Sequence, residues 1–227
     1  MCRVYNVLKA LLLVVKIIPI VGFSQQVDSL RTPEIFSSQI AMFNGMPMDT
    51  ESVVFLGNSI TFWGNWTERL QNMTVKNRGI AGDNTYGVLE RLDGILVHKP
   101  KLIFLMIGVN DLAQGFPDEL IVHNINKIVD RIQQQSPTTE LVLQSLLPVN
   151  PTMGKLSSHT QHAGRIPGLN CMLKGIAKTK GAHYLDLYSQ FVDSDGYLRK
   201  NLTWDGVHLT EEGYKIWVKM LKCTYFF

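Results

Sequence analysis

Short apolar runs of strand length alternate along this 227-residue chain with longer segments whose apolar residues recur at helical spacing. A strand that is apolar throughout has to be covered on both faces, which happens in a parallel sheet with helices on either side. The alternation therefore predicts an α/β fold with three layers, α/β/α, around a five-stranded parallel sheet. We place the strands at residues 52–56, 74–77, 101–107, 140–146 and 183–187.

Helical periodicity fills most of the connections between these strands. It predicts helices at residues 85–97, 118–135 and 167–180, with a last helix at residues 211–221. The connection at residues 148–167 is different, because it is long, rich in Pro, Gly, Ser and His, and without clear periodicity. Such connections are usually functional or mobile. It follows the fourth strand, so we expect it on the rim where open α/β sheets bind ligands.

The first 24 residues are typical of an export signal. Arg3 and Lys9 form a basic start, an apolar stretch follows, and Gly22-Phe23-Ser24 is a small-x-small cleavage site. Lys16 interrupts the stretch, which favours a cleaved signal over a spanning helix of about 20 apolar residues. The alternative is an uncleaved N-terminal anchor. We expect an exported protein, periplasmic or extracellular, with no stable membrane insertion after cleavage.

The three basic residues of this signal account for the whole formal net charge of +3, since the chain has 22 Lys and Arg against 19 Asp and Glu. The rest of the chain is near neutral, so we expect no nucleic-acid partner.

We divide the chain after the signal into a weakly patterned lead-in at residues 25–50 and one domain at residues 51–227. Cys171 and Cys223 remain after cleavage; we expect them to pack as small apolar side chains, although an oxidising compartment would allow them to pair.

Four short motifs lie where apolar runs end, and together they contain the groups that ester hydrolysis needs. The first motif, at residues 57–61, supplies a serine hydroxyl. The last motif, at residues 205–208, has a histidine three residues after an aspartate that can orient the imidazole as a base. The second and third supply hydrogen-bond donors for the negative oxygen of a tetrahedral intermediate. The motifs are Gly57-Asn58-Ser59-Ile60-Thr61, Gly79-Ile80-Ala81-Gly82-Asp83, Gly108-Val109-Asn110-Asp111 and Asp205-Gly206-Val207-His208.

Each motif also has a purely local explanation. A serine such as Ser59 commonly caps a helix, and Gly82 and Asn110 are ordinary turn residues. Asp205 would cap the last helix, although Thr210 is an equally good cap. A strand order of 2-1-3-4-5 favours a functional explanation, because it places strands two, one and three side by side. The residues that follow those strands would then converge.

In this order and spacing the four motifs resemble those of the SGNH branch of the GDSL esterase/lipase family. The resemblance runs from about Val53 to the last helix. It implies the SGNH hydrolase fold, with the flavodoxin-like strand order 2-1-3-4-5, and a serine esterase that works through an acyl-enzyme with no metal or other cofactor. One position departs from the family, because Asn58 stands where the motif is usually Gly-Asp-Ser.

The resemblance also assigns roles to matching residues of this chain. Ser59 is the nucleophile, His208 is first base and then acid, and Asp205 orients the imidazole. The oxyanion hole consists of the N–H groups of Ser59 and Gly82 and the side chain of Asn110.

The substrate is indicated less directly. The second and fourth motifs are most similar to the subgroup of platelet-activating-factor acetylhydrolase subunits and bacterial sugar acetylesterases, which with export favours acetyl esters of small molecules or glycans. Candidate substrate contacts are Trp204, beside Asp205, and His159 and His162 in the long connection. The alternatives are a lysophospholipase or lipase acting on longer chains, an acyltransferase, and a glycan-binding module without catalysis. The sequence does not predict an oligomeric state.

Overall fold

The computed structural model describes residues 32–224 and 226–227, and the predicted export signal lies outside them. Its centre is a sheet of five parallel strands in the order β2-β1-β3-β4-β5. The predicted fold class and strand order are therefore confirmed. The strands are β1 Val53–Gly57, β2 Val75–Gly79, β3 Leu102–Met106, β4 Glu140–Gln144 and β5 His183–Leu185.

Helices flank this sheet. The longest, α7, has the bounds that the periodicity predicts, because its isoleucines and valine repeat on one buried face while Asp118 and Glu119 stand in its first turn. The helices are α1 Phe36–Asn44, α2 Ser59–Phe62, α3 Trp66–Leu70, α4 Thr85–Arg91, α5 Asp93–Leu96, α6 Val109–Ala113, α7 Asp118–Gln135, α8 Ser157–Thr160, α9 Ile166–Lys180, α10 Tyr188–Phe191 and α11 Glu211–Lys222.

The core is centred on the middle strand β3 and its neighbour β1, which are both buried along their whole length. Phe55 of β1 stacks on Trp66 with ring centroids 4.3 Å apart, and on Phe104 of β3 at 4.9 Å. Trp217 of α11 meets Trp66 edge to face at 4.7 Å. This aromatic cluster fixes α3 and α11 against the sheet, and with them the segments that precede each helix.

Three sequence-based expectations need correction. The predicted helix at residues 85–97 is divided into α4 and α5 at Leu92. The long connection at residues 148–167 is not without structure, since it contains α8 and short 3₁₀ turns at Pro151–Met153 and Ala163–Arg165. These pieces are too short to produce a periodic pattern. Cys171 and Cys223 are both free and exposed, so the expectation that they pack as small apolar side chains is wrong.

The described part of the lead-in, residues 32–50, contains α1. Phe36 of α1 is buried, and the Phe43 ring lies under the guanidinium of Arg78, 4.9 Å from ring centroid to carbon. Pro33 lies against the loop after β2. No helix in the described ranges is both long and apolar enough to cross a membrane.

Candidate active site

The ends of three neighbouring strands bring the first three motifs together. Gly57 at the end of β1 pairs in register with Gly79 of β2 and with Met106 of β3. The residues that follow these strand ends therefore emerge side by side at the carboxyl edge of the sheet, where parallel α/β sheets bind ligands. Ser59 follows β1, Gly82 follows β2 and Asn110 follows β3.

Ser59 is the first residue of α2 and does not cap it. The cap is Asn58, whose side-chain oxygen accepts a hydrogen bond from the Ile60 N–H at 3.0 Å. An aspartate at this position would offer an equivalent oxygen, so Asn58 retains the capping that the motif requires. The serine hydroxyl is thereby free to face the rim, and Ser59 is 7% exposed.

The short helix α2 is held from the opposite end by aromatic side chains. A four-residue helix leaves most of its carbonyl groups without partners inside the helix. The Tyr214 hydroxyl donates to the carbonyl of Ile60 at 2.7 Å, and the Trp66 indole N–H donates to that of Thr61 at 2.8 Å. Ser59 is therefore fixed by residues of the aromatic core.

Ser59, His208 and Asp205 form a continuous hydrogen-bonded chain. Ser59 Oγ lies 2.9 Å from His208 Nε2, and His208 Nδ1 lies 2.6 Å from Asp205 Oδ2. An ionised carboxylate only accepts hydrogen bonds, so the proton of the neutral imidazole sits on Nδ1 and Nε2 accepts from the serine. In this geometry the serine hydroxyl can pass its proton to the imidazole.

Asp205 is kept ionised by its surroundings. Burial alone would raise its pKa, but hydrogen bonds from the His208 side chain and from the N–H groups of His208 and Val207 outweigh burial and lower the pKa below its usual value. Both backbone groups donate to Oδ1, at 2.8 Å and 2.9 Å, which leaves Oδ2 to the imidazole. Thr210 caps α11, so the alternative that Asp205 caps this helix is wrong.

The turn that carries Asp205 and His208 depends on its glycine. Gly206 has a φ of +94°, and a Cβ there would lie 2.5 Å from the carbonyl oxygen of Asn150. Thr203 closes the turn, since its hydroxyl donates to the His208 carbonyl at 2.7 Å and accepts from the Gly206 N–H at 2.8 Å. The spacing between acid and base is therefore set by backbone geometry.

The residues predicted to supply the oxyanion donors follow the adjacent ends of β1, β2 and β3. Gly82 has a φ of +82°, and a Cβ there would lie 3.0 Å from Pro33. Within residues 32–224, the N–H groups of Ser59 and Gly82 donate to no protein acceptor. The Asn110 amide donates one N–H to the Asp83 carbonyl at 2.7 Å and has a second N–H to offer. These three donors suit a negatively charged oxygen.

The sequence gives no signal for a buried arginine that joins the strand ends. Arg91 of α4 donates to the Asp83 carboxylate at 2.9 Å, to the Arg78 carbonyl at 2.8 Å and to the Gly57 carbonyl at 3.1 Å. Its side chain is 3% exposed and that of Asp83 is fully buried. The pair therefore ties the ends of β1 and β2 to the loop that carries Gly82.

Asp111, the second acidic residue of the motifs, also lies away from the reacting atoms. Its carboxylate accepts from the N–H and the hydroxyl of Thr85, the first residue of α4. Asn124 of α7 donates to the same hydroxyl at 2.9 Å. Burial raises the pKa of Asp111 to about 6, against the effect of the Thr85 hydrogen bonds. This residue fastens the start of α4 to α6.

The structure brings two of the three candidate substrate contacts to the site. The Trp204 ring stacks on the His208 imidazole with centroids 5.4 Å apart, and Trp204 is 56% exposed. His159 Nε2 lies 2.9 Å from Asn110 Oδ1. His162 instead lies next to Gln161 and Arg165. Its Nε2 is 3.3 Å from Gln161 Nε2, and its Nδ1 is 3.4 Å from a guanidinium nitrogen of Arg165. Substrate contact by any of the three stays a prediction.

Known proteins share both the sequence pattern and this fold. The model of the GDSL-like Lipase/Acylhydrolase family matches residues 55–216. Platelet-activating factor acetylhydrolase IB subunit alpha1 of Homo sapiens is 30% identical over 168 residues, which cover 71% of this chain and 70% of that protein. The alpha2 subunit of Mus musculus is 30% identical over 169 residues, with the same coverage of both proteins.

Solved structures agree with these matches. A GDSL-like lipase from Bacteroides thetaiotaomicron superposes with a TM-score of 0.72 at 25% identity, covering 82% of this chain and 96% of its own. An acetylxylan esterase from Geobacillus stearothermophilus superposes with a TM-score of 0.62 at 17% identity, covering 77% of this chain and 93% of its own. The second likeness shows the fold alone.

Proposed function

Since this chain belongs to the GDSL-like lipase/acylhydrolase family and is an ester hydrolase, we propose that it removes acetyl groups from O-acetylated carbohydrate through an acyl-enzyme on Ser59. The observation that carries the proposal is the hydrogen-bonded chain from Ser59 through His208 to Asp205. Ser59, Gly82 and Asn110, whose N–H groups are the proposed oxyanion donors, follow the adjacent ends of β1, β2 and β3.

Acylation begins with the serine proton. His208 Nε2 takes this proton as Ser59 Oγ attacks the ester carbonyl carbon, and the carbonyl oxygen becomes negatively charged. The N–H groups of Ser59 and Gly82 and the free N–H of Asn110 bind this oxygen. When the intermediate collapses, the bond to the sugar oxygen breaks, that oxygen takes the proton from His208, and the acetyl group stays on the serine.

Deacylation repeats these steps with water. His208 removes a proton from a water molecule that attacks the acetyl carbon, and the same three donors bind the second oxyanion. Collapse releases acetate, and His208 returns its proton to Ser59 Oγ. Asp205 stays ionised throughout and stabilises the imidazolium that forms in each half of the reaction.

The acetyl preference rests on the chemistry of the rim and on the relatives. His208 hydrogen-bonds to the polar side chains of Ser59, Asp205 and Thr203, and the exposed ring of Trp204 offers one flat apolar face of the kind that packs on a sugar. A longer acyl chain needs continuous apolar surface, at about 0.8 kcal/mol per buried methylene. The curated relatives are named as acetylhydrolases. An exported, periplasmic or extracellular location, inferred from the N-terminal pattern, fits a glycan substrate.

The test is a set of p-nitrophenyl esters of acetate, butanoate and octanoate, together with acetylated xylan, and Ser59→Ala as the blank. We expect kcat/KM to fall from acetate to octanoate and free acetate to be released from the glycan. A kcat/KM that climbs steadily with chain length would replace the acetylesterase with a lipase or lysophospholipase. Transfer of acetyl to a second sugar, without free acetate, would indicate an acyltransferase.

A further inference from the structure

We propose that His159 is a positioning residue that fixes the orientation of the Asn110 amide, so that its free N–H faces the oxyanion. The proposal rests on the proposed function and deepens it. The two side chains lie far apart in the sequence, and His159 Nε2 meets Asn110 Oδ1 at 2.9 Å.

The chemistry of an amide explains why its orientation matters. An asparagine side chain that rotates by half a turn exchanges its oxygen and its nitrogen at nearly the same positions. In one orientation Asn110 offers an N–H to the developing negative charge, and in the other it offers an oxygen that repels this charge. Catalysis by Asn110 therefore requires that one orientation is strongly preferred.

Two neighbours select the productive orientation. The Asp83 carbonyl can only accept a hydrogen bond, and it lies 2.7 Å from Asn110 Nδ2. Since Asn110 Oδ1 can only accept, His159 has to donate from Nε2. A rotated amide would set an oxygen against the Asp83 carbonyl and an N–H against the N–H of His159. The contact with the Asp83 carbonyl would then be lost and replaced by repulsion, and His159 would keep its contact only by moving its proton to Nδ1.

The protonation state of His159 agrees with this role. Burial lowers its pKa, and so does the nearby His208. The neutral ring with its proton on Nε2 leaves Nδ1 to accept from the Ser158 hydroxyl, 3.2 Å away. A neutral His159 also adds no positive charge beside His208 when that imidazole takes up the serine proton.

The segment that carries His159 is attached to the other side of the site. The neighbouring Thr160 is buried, and its methyl group lies 3.2 Å from the position that a Cβ on Gly206 would take. Asn150, at the start of the same connection, donates its N–H to the Gly206 carbonyl at 2.8 Å. The connection at residues 148–167 therefore contacts the turn that carries Asp205 and His208. Through His159 it also contacts the side chain of Asn110.

The test is a double-mutant cycle with p-nitrophenyl acetate as substrate. We expect His159→Ala to lower kcat about 5- to 10-fold, the scale of one net hydrogen bond, with KM little changed. In the Asn110→Ala background the same change should have no further effect, because there is no amide left to orient. His159→Gln, which retains an N–H donor near the Nε2 position, should recover part of the lost kcat.

The control is Gln161→Ala, an exposed residue of the same connection whose side chain does not meet Asn110, and it should leave kcat unchanged. If His159→Ala lowers kcat by the same factor with and without Asn110, the inference is overturned and His159 acts independently of the amide. A raised KM with unchanged kcat would make His159 a substrate contact. Failure of the proposed mechanism is distinguishable, because Asn110→Ala alone would then leave kcat intact.

Discussion

Two asparagine amides set the geometry of the proposed reaction at the scale of single residues. Asn58 uses its oxygen to cap α2 and leaves Ser59 uncapped on the rim. Asn110 has its oxygen and one N–H engaged by His159 and Asp83, which leaves one N–H for the substrate. Neither amide reacts, but each determines where a reacting group points.

Replacement of Asn110 by alanine tests whether this remaining N–H acts in the transition state. We expect kcat to fall roughly 10²- to 10³-fold, the loss that removal of one oxyanion donor causes, while KM changes little. The physical reason is that the hydrogen bond strengthens as charge develops on the oxygen. Steady-state kinetics with p-nitrophenyl acetate measure both constants.

The matched control is Asn126→Ala, which removes an amide from the surface of α7, where it donates to Asp130. It should change neither constant. If Asn110→Ala raises KM and leaves kcat alone, Asn110 binds the substrate in its ground state and is not part of an oxyanion hole.

At the scale of elements, α4 and α6 are joined by a buried carboxylate. Asp111 of α6 accepts both polar hydrogens of Thr85 at the start of α4, and Asn124 of α7 donates to the Thr85 hydroxyl. The loop that carries Gly82 enters α4, and Asn110 precedes Asp111 in α6. The hydrogen bonds of Asp111 therefore hold two of the proposed oxyanion donors at a fixed separation.

This buried carboxylate predicts a dependence of stability on pH. Burial raises the pKa of Asp111 from 3.8 to about 6, so the folded chain holds a proton that the unfolded chain has already lost between these values. The free energy of unfolding therefore rises as the pH falls through 6. The full shift corresponds to about 3 kcal/mol, of which about 1 kcal/mol is regained between pH 8 and pH 5.

Urea unfolding of the wild type and Asp111→Asn at pH 8 and pH 5 measures this difference. We expect the free energy of unfolding of the wild type to rise by about 1 kcal/mol relative to that of the variant on acidification. Asp195→Asn, at an exposed turn, should show no such gain. Parallel changes in the wild type and Asp111→Asn would mean that Asp111 does not take up a proton in this range.

The elements themselves differ in how far the sequence predicts them. α7 has its predicted bounds because a long amphipathic helix repeats its apolar pattern over five turns. The single helix predicted at residues 85–97 instead forms two helices, α4 and α5. Leu92 between them keeps helical dihedral angles, φ −62° and ψ −39°, and Gly94 lowers helix propensity just beyond it. The short turns of residues 148–167 depend on tertiary contacts that no local pattern reveals, such as the hydrogen bonds that Asn150 donates to the carbonyls of Leu198 and Gly206.

At the scale of the whole molecule, strand order explains why the motifs could be interpreted together. Parallel strands two, one and three lie side by side, so residues that follow them in the sequence have to meet at one edge. The supporting partners could not be predicted in the same way. Arg91 meets Gly57, Arg78 and Asp83 through contacts between separate elements, and its position on a helix is typical of a solvated side chain.

The most direct measurement of the central claim is kcat/KM of Ser59→Ala, His208→Ala and the double variant with p-nitrophenyl acetate, with circular dichroism to establish that each is folded. Because the two residues act as one unit, we expect each single variant to lose nearly all activity and the double variant to lose no more. Wild-type kcat/KM in Ser59→Ala, or losses that multiply in the double variant, would contradict a mechanism in which His208 activates Ser59.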